Sequence, residues 1–174
     1  RAFMEKVGML KPTNIEVPEK SHTLYPKQWS KISTMTIAYG HGIAVTPVHV
    51  AQAIASLVNG GTWHDATLLA DNKKSNKKPI QIVKKQTSDN VRKLMRYVVE
   101  YGTGTKANVE GYLVGGKTGS ADKPTKGGYG DKKALISSFI GAFPMNDPKY
   151  VVFVMLDEPK RSKEMPFVTG GMVA

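Results

Sequence analysis

The chain contains no cysteine, so neither a disulfide framework nor a thiol nucleophile is available to it. Its histidines, His22, His41, His49 and His64, lack the spacing of metal ligands, and no carboxylate cluster accompanies them. No metal or cofactor is expected. Long apolar runs are missing too: the longest, residues 151–156 (Val-Val-Phe-Val-Met-Leu), falls far short of the roughly 20 residues that span a bilayer. Acidic residues are scarce, 14 against 25 lysines and arginines, for a formal charge of +11. That excess sits largely in clusters at 73–78, 84–85, 123–126 and 160–163, none of which interleaves the aromatics that stack nucleobases. The charge therefore reads as a solvated surface suited to a polyanionic envelope, and no nucleic-acid partner is expected.

What is present is concentrated in Gly115-Gly116-Lys117-Thr118-Gly119-Ser120, which places one cation, two hydroxyls and three glycines in six residues after the lead-in Tyr112-Leu113-Val114. Three mechanisms compete for it. Gly111-Tyr-Leu-Val-Gly-Gly116-Lys117-Thr118 satisfies the nucleotide P-loop pattern, and 151–157 resembles the acidic-ended strand that accompanies it. A P-loop, however, requires a helix opening at the Lys-Thr pair. The residues after Lys117 carry four further glycines and a proline within thirteen positions, through which no helix could run. A second reading is an edge-like strand over residues 113–121, with glycines that let a ligand backbone approach while Lys117, Thr118 and Ser120 hold an anionic end group. This is the Lys-Thr-Gly element of serine acyl-transferases that react with penicillin. The third is a glycine-rich strand and turn with a solvated lysine.

At 174 residues the chain is long enough for one domain with a core. Arg1 opens directly on a helical pattern and the chain stops at Thr169-Gly-Gly-Met-Val-Ala174, so a piece of a larger protein is expected. Phe3, Met4, Val7 and Leu10 share one face of a helix end, and residues 28–35 hold a helical turn. Thr46 as N-cap and Pro47 at the first helical position open the clearest helix, to about Val58, which Asn59-Gly60-Gly61 stops. Strands are expected at 62–69 and 79–83, and a helix opened by Thr87-Ser88-Asp89-Asn90 carries Val91, Leu94, Met95 and Val98 on its buried side. Three further strands, at 113–121, 135–144 and 150–157, form an antiparallel sheet, the last two joined through the turn residues Met145-Asn146-Asp147-Pro148. Residues 123–131, with three glycines around a lone tyrosine, are expected to be irregular. The class is α+β.

Laid out in this way, the sequence resembles the C-terminal part of the transpeptidase domain of a class B penicillin-binding protein, most like the cell-division (septal) peptidoglycan D,D-transpeptidase. The resemblance is carried by residues 36–47 (Thr-Ile-Ala-Tyr-Gly-His-Gly-Ile-Ala-Val-Thr-Pro) running into the alanine-rich helix, by Asn59-Gly60-Gly61, by Gly102-Thr103-Gly104-Thr105, by 114–121 (Val-Gly-Gly-Lys-Thr-Gly-Ser-Ala) and by the apolar pair 137–144 and 151–156. Their order and spacing match over nearly the whole chain.

The resemblance implies a penicillin-binding, serine β-lactamase-like fold in part: an antiparallel sheet flanked by helices, with residues 1–174 forming the C-terminal portion of a single transpeptidase domain truncated at both ends. It implies an acyl-enzyme reaction on D-alanyl-D-alanine stem peptides, needing an activated nucleophile and an oxyanion hole. Lys117 and Ser120 would be this chain's catalytic contribution, and Lys117, Thr118, Gly119 and Ser120 its substrate- and penicillin-binding residues. Lys117 would set a positive charge near the nucleophile and the substrate carboxylate, Thr118 and Ser120 would donate to that carboxylate, and the Ser120 N–H would serve the oxyanion.

The nucleophile motif Ser-x-x-Lys and the second motif Ser-x-Asn find only formal matches, at Ser75–Lys78, Ser120–Lys123 and Ser88–Asn90. In the family both lie upstream of the segment matching Arg1, so the nucleophilic serine and its lysine base are expected outside this chain, and the fragment alone is expected to be inactive. The implied partners are peptidoglycan stem peptides, β-lactams, the remainder of the parent domain and divisome proteins. The implied location is the periplasmic side of the inner membrane, the parent anchored by an N-terminal transmembrane helix. A non-catalytic cell-envelope interaction module of the same fold is the alternative.

Overall fold

In the computed structural model, residues 1–70, 79–123, 134–163 and 168–174 are described; the formal motif at 75–78 and most of the 123–131 segment lie outside them. Two compact units divide the chain, Arg1–Asp89 and Asn90–Ala174. Among the described residues, no helix is long and apolar enough to cross a membrane.

The first unit holds α1 (Ala2–Lys6), α2 (Lys31–Ala38), α3 (Pro47–Val58) and the short antiparallel pair β1 (Thr62–Trp63) and β2 (Ile80–Gln81). Helix α3 begins where its cap predicts. The Thr46 hydroxyl accepts from the His49 N–H, and His49 Nδ1 accepts in return from the Thr46 N–H at 3.2 Å. His49 Nε2 lies 2.7 Å from the Lys11 carbonyl; since a carbonyl can only accept, Nε2 carries the proton and Nδ1 is the acceptor. This histidine is 2% exposed, a structural pin between α3 and the segment after α1. Val7, Ala53 and Ile82 make the core here, with Met9, Leu57 and Trp63 packed around them.

Two expectations are corrected in this unit. The strand foreseen over 62–69 ends after Trp63, because side chains capture the backbone that would have paired: Glu16 accepts from the Leu68 N–H at 2.8 Å and from the Thr67 hydroxyl at 2.7 Å. The helix foreseen from Thr87 starts earlier, α4 running Lys85–Tyr101, with the Ser88 N–H already bonded to the Lys84 carbonyl. Ser88 does not cap it. Its hydroxyl is fully buried and accepts from the Gly60 N–H at 3.0 Å, tying down the turn after α3.

The second unit is built on a three-stranded sheet, β3 (Gly115–Asp122), β4 (Leu135–Phe143) and β5 (Tyr150–Asp157), in the order β3-β4-β5 and antiparallel throughout. β5 has the bounds expected. β3 starts two residues late because Leu113 takes a left-handed φ of 49°, which breaks the extended run. The buried core is centred on β4, where Phe139, Ile140 and Ala142 join Met95 and Val99 of α4 and Met145 of the hairpin turn among the buried apolar side chains. A short 3-10 turn (Thr105–Ala107) follows α4, and α5 (Gly170–Val173) packs against all three strands.

Candidate functional site

Lys117, Thr118, Gly119 and Ser120 all lie within β3. The strand runs through the Lys-Thr pair without interruption, which removes the P-loop reading: no helix N-terminus exists there to hold phosphates.

The register decides what each residue presents. Side chains alternate along a strand, so Thr118 and Ser120 share one face with their cross-strand partners Phe139 and Ser137, while Lys117 and Gly119 share the other with Ile140 and Ser138. Backbone groups alternate as well, between pairing inward and pointing off the edge. The Lys123 N–H bonds to the Ala134 carbonyl at 2.8 Å. Counting back by twos, Ala121, Gly119 and Lys117 also pair with β4, and the N–H and C=O groups of Ser120 and Thr118 point away from it, off the outer edge of the described sheet. The Lys117 ammonium is exposed and folds onto that edge, donating to the Thr118 carbonyl at 2.7 Å.

Several neighbours fix this strand. Arg96 of α4 donates from Nη1 to the Val114 carbonyl at 2.6 Å and to Asn108 Oδ1 at 3.1 Å, while its Nε donates to Glu100 at 2.9 Å. The Thr103 hydroxyl lies 2.8 Å from the Thr118 hydroxyl. From the C-terminal segment, the Gly170 N–H donates to Ser120 Oγ at 2.8 Å, and the buried Ser137 hydroxyl donates to the Val168 carbonyl. Gly170 must be glycine for this approach, since a Cβ there would come within 2.5 Å of the Gly119 carbonyl oxygen and 2.7 Å of its nitrogen. The close backbone approach at Gly119 is therefore made in this structure by Gly170 of the same chain. Past the end of β3, Lys123 is bonded to Asp157 at 2.9 Å and to Glu158 at 2.9 Å, closing the far end of the sheet.

Of the formal motif matches among the described residues, Ser88 is committed to Gly60, and Ser120 belongs to β3 with Lys123 held by Asp157 and Glu158. Reading the sequence locally missed Arg96 and Gly170 and gave Thr103 no role at the site. The only sequence signal for the last two is their company, Gly102-Thr103-Gly104 and Gly170-Gly171, since paired glycines mark places where backbones approach.

Comparison with known proteins bears on this geometry. A family model described as the penicillin-binding protein transpeptidase domain matches residues 1–168. The chain is 34% identical over 182 residues to a probable peptidoglycan D,D-transpeptidase FtsI of Caulobacter vibrioides, covering 99% of this chain and 31% of that protein. It is 36% identical over 184 residues to the stage V sporulation protein D of Bacillus subtilis, covering 99% of this chain and 28% of that protein. Among solved structures, penicillin-binding protein 3 of Mycobacterium tuberculosis complexed with ampicillin superposes with a TM-score of 0.86 at 27% identity, over 99% of this chain and 42% of that one. The transpeptidase domain of Burkholderia pseudomallei penicillin-binding protein 3 gives 0.83 at 31% identity, over 99% and 52%. The chain thus spans about a third of the length of these two curated relatives, and the strand carrying Lys117 to Ser120 lies inside the matched region. On that match, the chain belongs to the penicillin-binding protein transpeptidase domain family.

Proposed function

We propose that residues 1–174 form the C-terminal portion of a single transpeptidase domain in a peptidoglycan D,D-transpeptidase that cross-links stem peptides through a serine acyl-enzyme and is acylated by penicillins. In that reaction a serine hydroxyl oxygen attacks the carbonyl of the penultimate D-alanine, its proton passes to a base and from there to the departing nitrogen, and the peptide bond breaks with release of D-alanine. An amine of a neighbouring stem peptide then attacks the acyl-serine, the ester bond breaks, and the proton the amine gives up is returned through the base to the serine oxygen as the amine takes the acyl group. The serine and its lysine base belong to the part of the domain upstream of Arg1.

This chain supplies the strand against which the substrate lies. Lys117 contributes the cation that attracts the terminal carboxylate and lowers the cost of charge near the nucleophile, Thr118 and Ser120 donate hydroxyl hydrogen bonds to that carboxylate, and Gly119 keeps the strand free of a side chain. The Ser120 N–H is one oxyanion donor. The observation that carries the proposal is the presentation of Thr118 and Ser120 on one face, with their backbone groups aimed off the sheet edge and a lysine on the same eight-residue strand. A septal role is supported by the likeness to an FtsI; periplasmic location with a membrane anchor, and contact with divisome proteins, follow from that role.

The test is covalent labelling of the complete protein by ampicillin, read by intact mass, alongside D-alanine release from a pentapeptide in the presence of an amine acceptor. A stoichiometric adduct on a serine upstream of Arg1, lost or slowed by orders of magnitude in Lys117→Ala, is expected. Full labelling of Lys117→Ala at the unsubstituted rate would overturn the assignment.

A further inference from the structure

Thr103 sits in the loop after α4, held from both sides: the N–H groups of Gly102 and Gly104 each bond to the Val98 carbonyl at 3.1 Å. Gly104 is buried against the Phe139 ring, and the Thr103 carbonyl is closely approached by Gly171, where a Cβ would lie 2.8 Å away. The loop is thus fixed by α4 below and by the C-terminal segment above, and its hydroxyl arrives 2.8 Å from that of Thr118.

The two hydroxyls on the Thr118 face of β3 differ in what their partners permit. Ser120 Oγ receives a backbone N–H from Gly170. That group can only donate, so the serine oxygen is the acceptor and its single proton remains to be given elsewhere. Thr118 has a hydroxyl as partner, and either member of the pair can donate. With an anion at Thr118, the favourable arrangement has Thr103 donating inward and Thr118 donating outward, each bond polarising the next. Both β3 hydroxyls then face an incoming carboxylate as donors, one set by Gly170 and the other by Thr103.

We propose that Thr103 is a positioning residue for carboxylate recognition on β3: by donating to Thr118 Oγ1, it turns the Thr118 proton toward an anionic group at the sheet edge. The inference rests on reading β3 as the carboxylate-binding strand of a penicillin-acylated enzyme. Thr103 does not touch the substrate itself. Its contribution should appear only for ligands that carry the anion.

The experiment uses the complete protein with Thr103→Val, which keeps the shape and removes the hydroxyl, Thr103→Ser, which restores it, and Thr103→Ala as a second deletion should valine perturb the fold. Each is acylated with ampicillin and with its methyl ester, in which the carboxylate is masked. Loss of one hydrogen bond to a charged recognition site predicts that Thr103→Val and Thr103→Ala slow acylation by ampicillin about five- to tenfold. The rate with the ester stays unchanged, and Thr103→Ser recovers the ampicillin rate. Equal losses on both probes would reduce Thr103 to a structural role and overturn the proposal, as would no loss on either. If the unsubstituted protein reacted with neither probe, the reading of the chain as part of a penicillin-acylated transpeptidase would fall, and the proposal with it.

Discussion

Arg96 reaches from α4 to the carbonyl of Val114, 2.6 Å from its Nη1, at the residue immediately before β3 begins. The same guanidinium is bonded to Asn108 and Glu100 and is only 20% exposed. One side chain thus joins the helix, the loop and the start of the candidate substrate-binding strand. Arg96→Met should lower stability by about 1–3 kcal/mol, the cost of leaving a half-buried carbonyl and two polar partners without their donor. Arg96→Lys should recover little, because an ammonium cannot reproduce the forked geometry. Chemical denaturation of the three proteins checks this; equal midpoints would show that the contact contributes nothing.

Lys123 provides a pH-dependent counterpart at the far end of the sheet. Hydrogen bonds that its ammonium donates to Asp157 and, next in weight, to Glu158 hold its pKa above the usual lysine value of 10.5. A group whose pKa is raised by folding contributes stability that is complete below the unfolded value and is lost as pH rises through the folded one. The melting-temperature gap between the unsubstituted chain and Lys123→Met should therefore be constant from pH 8 to about pH 10 and close above pH 10.5. The gap will be small, since the site is exposed, and high salt should narrow it. A gap that widened in alkali would contradict the assigned direction.

How much of this was readable beforehand depended on whether each interaction is local. Strand β5 emerged at its expected ends, because an unbroken apolar run bounded by turn residues leaves little choice. Thr46 and Pro47 marked α3 correctly, since capping is settled within four residues. Ser88 was misread for the same reason in reverse: its composition suits a cap, yet its hydroxyl is taken by Gly60, 28 residues away. At the candidate site, Lys117 to Ser120 could be named from one short stretch. Thr103 and Gly170 could not be placed there, because their partners on β3 lie 15 and 50 residues away, and no periodicity records such a distance.

The isolated 174-residue chain should form no covalent adduct with ampicillin, whereas the complete protein, on the function proposed above, should form one. Of the two described serines in the formal motif matches, Ser88 is buried in a helix and accepts from Gly60. Ser120 accepts from the Gly170 N–H, and the lysine three positions on is bound to Asp157 and Glu158. Neither has a base placed to take its proton. Intact mass spectrometry after incubation with ampicillin decides the matter, and a stoichiometric adduct at either serine, or at Ser75, would show that the chain carries its own nucleophile.

The outer edge of β5 should govern how the isolated chain behaves in solution. In the described sheet β5 pairs only with β4. The Glu158 N–H bonds to the Leu135 carbonyl at 2.9 Å, so counting back by twos sends the backbone groups of Asp157, Met155, Phe153 and Val151 off the free side. The strand is apolar on both faces, yet Val152, Val154, Met155 and Leu156 are each at least 40% exposed. A long hydrophobic edge of this kind is what edge strands ordinarily avoid through charge, proline or bulges, and its composition is that of an interior strand. It should therefore acquire a neighbour: another copy of the chain, or a separately supplied segment from the rest of the protein. Size-exclusion chromatography with light scattering on the purified chain should show self-association that grows with concentration. Val154→Lys should shift it toward monomer by placing a charge on the pairing surface. A chain that stayed monomeric at high concentration, with no change on adding the lysine, would mean that this edge is already satisfied.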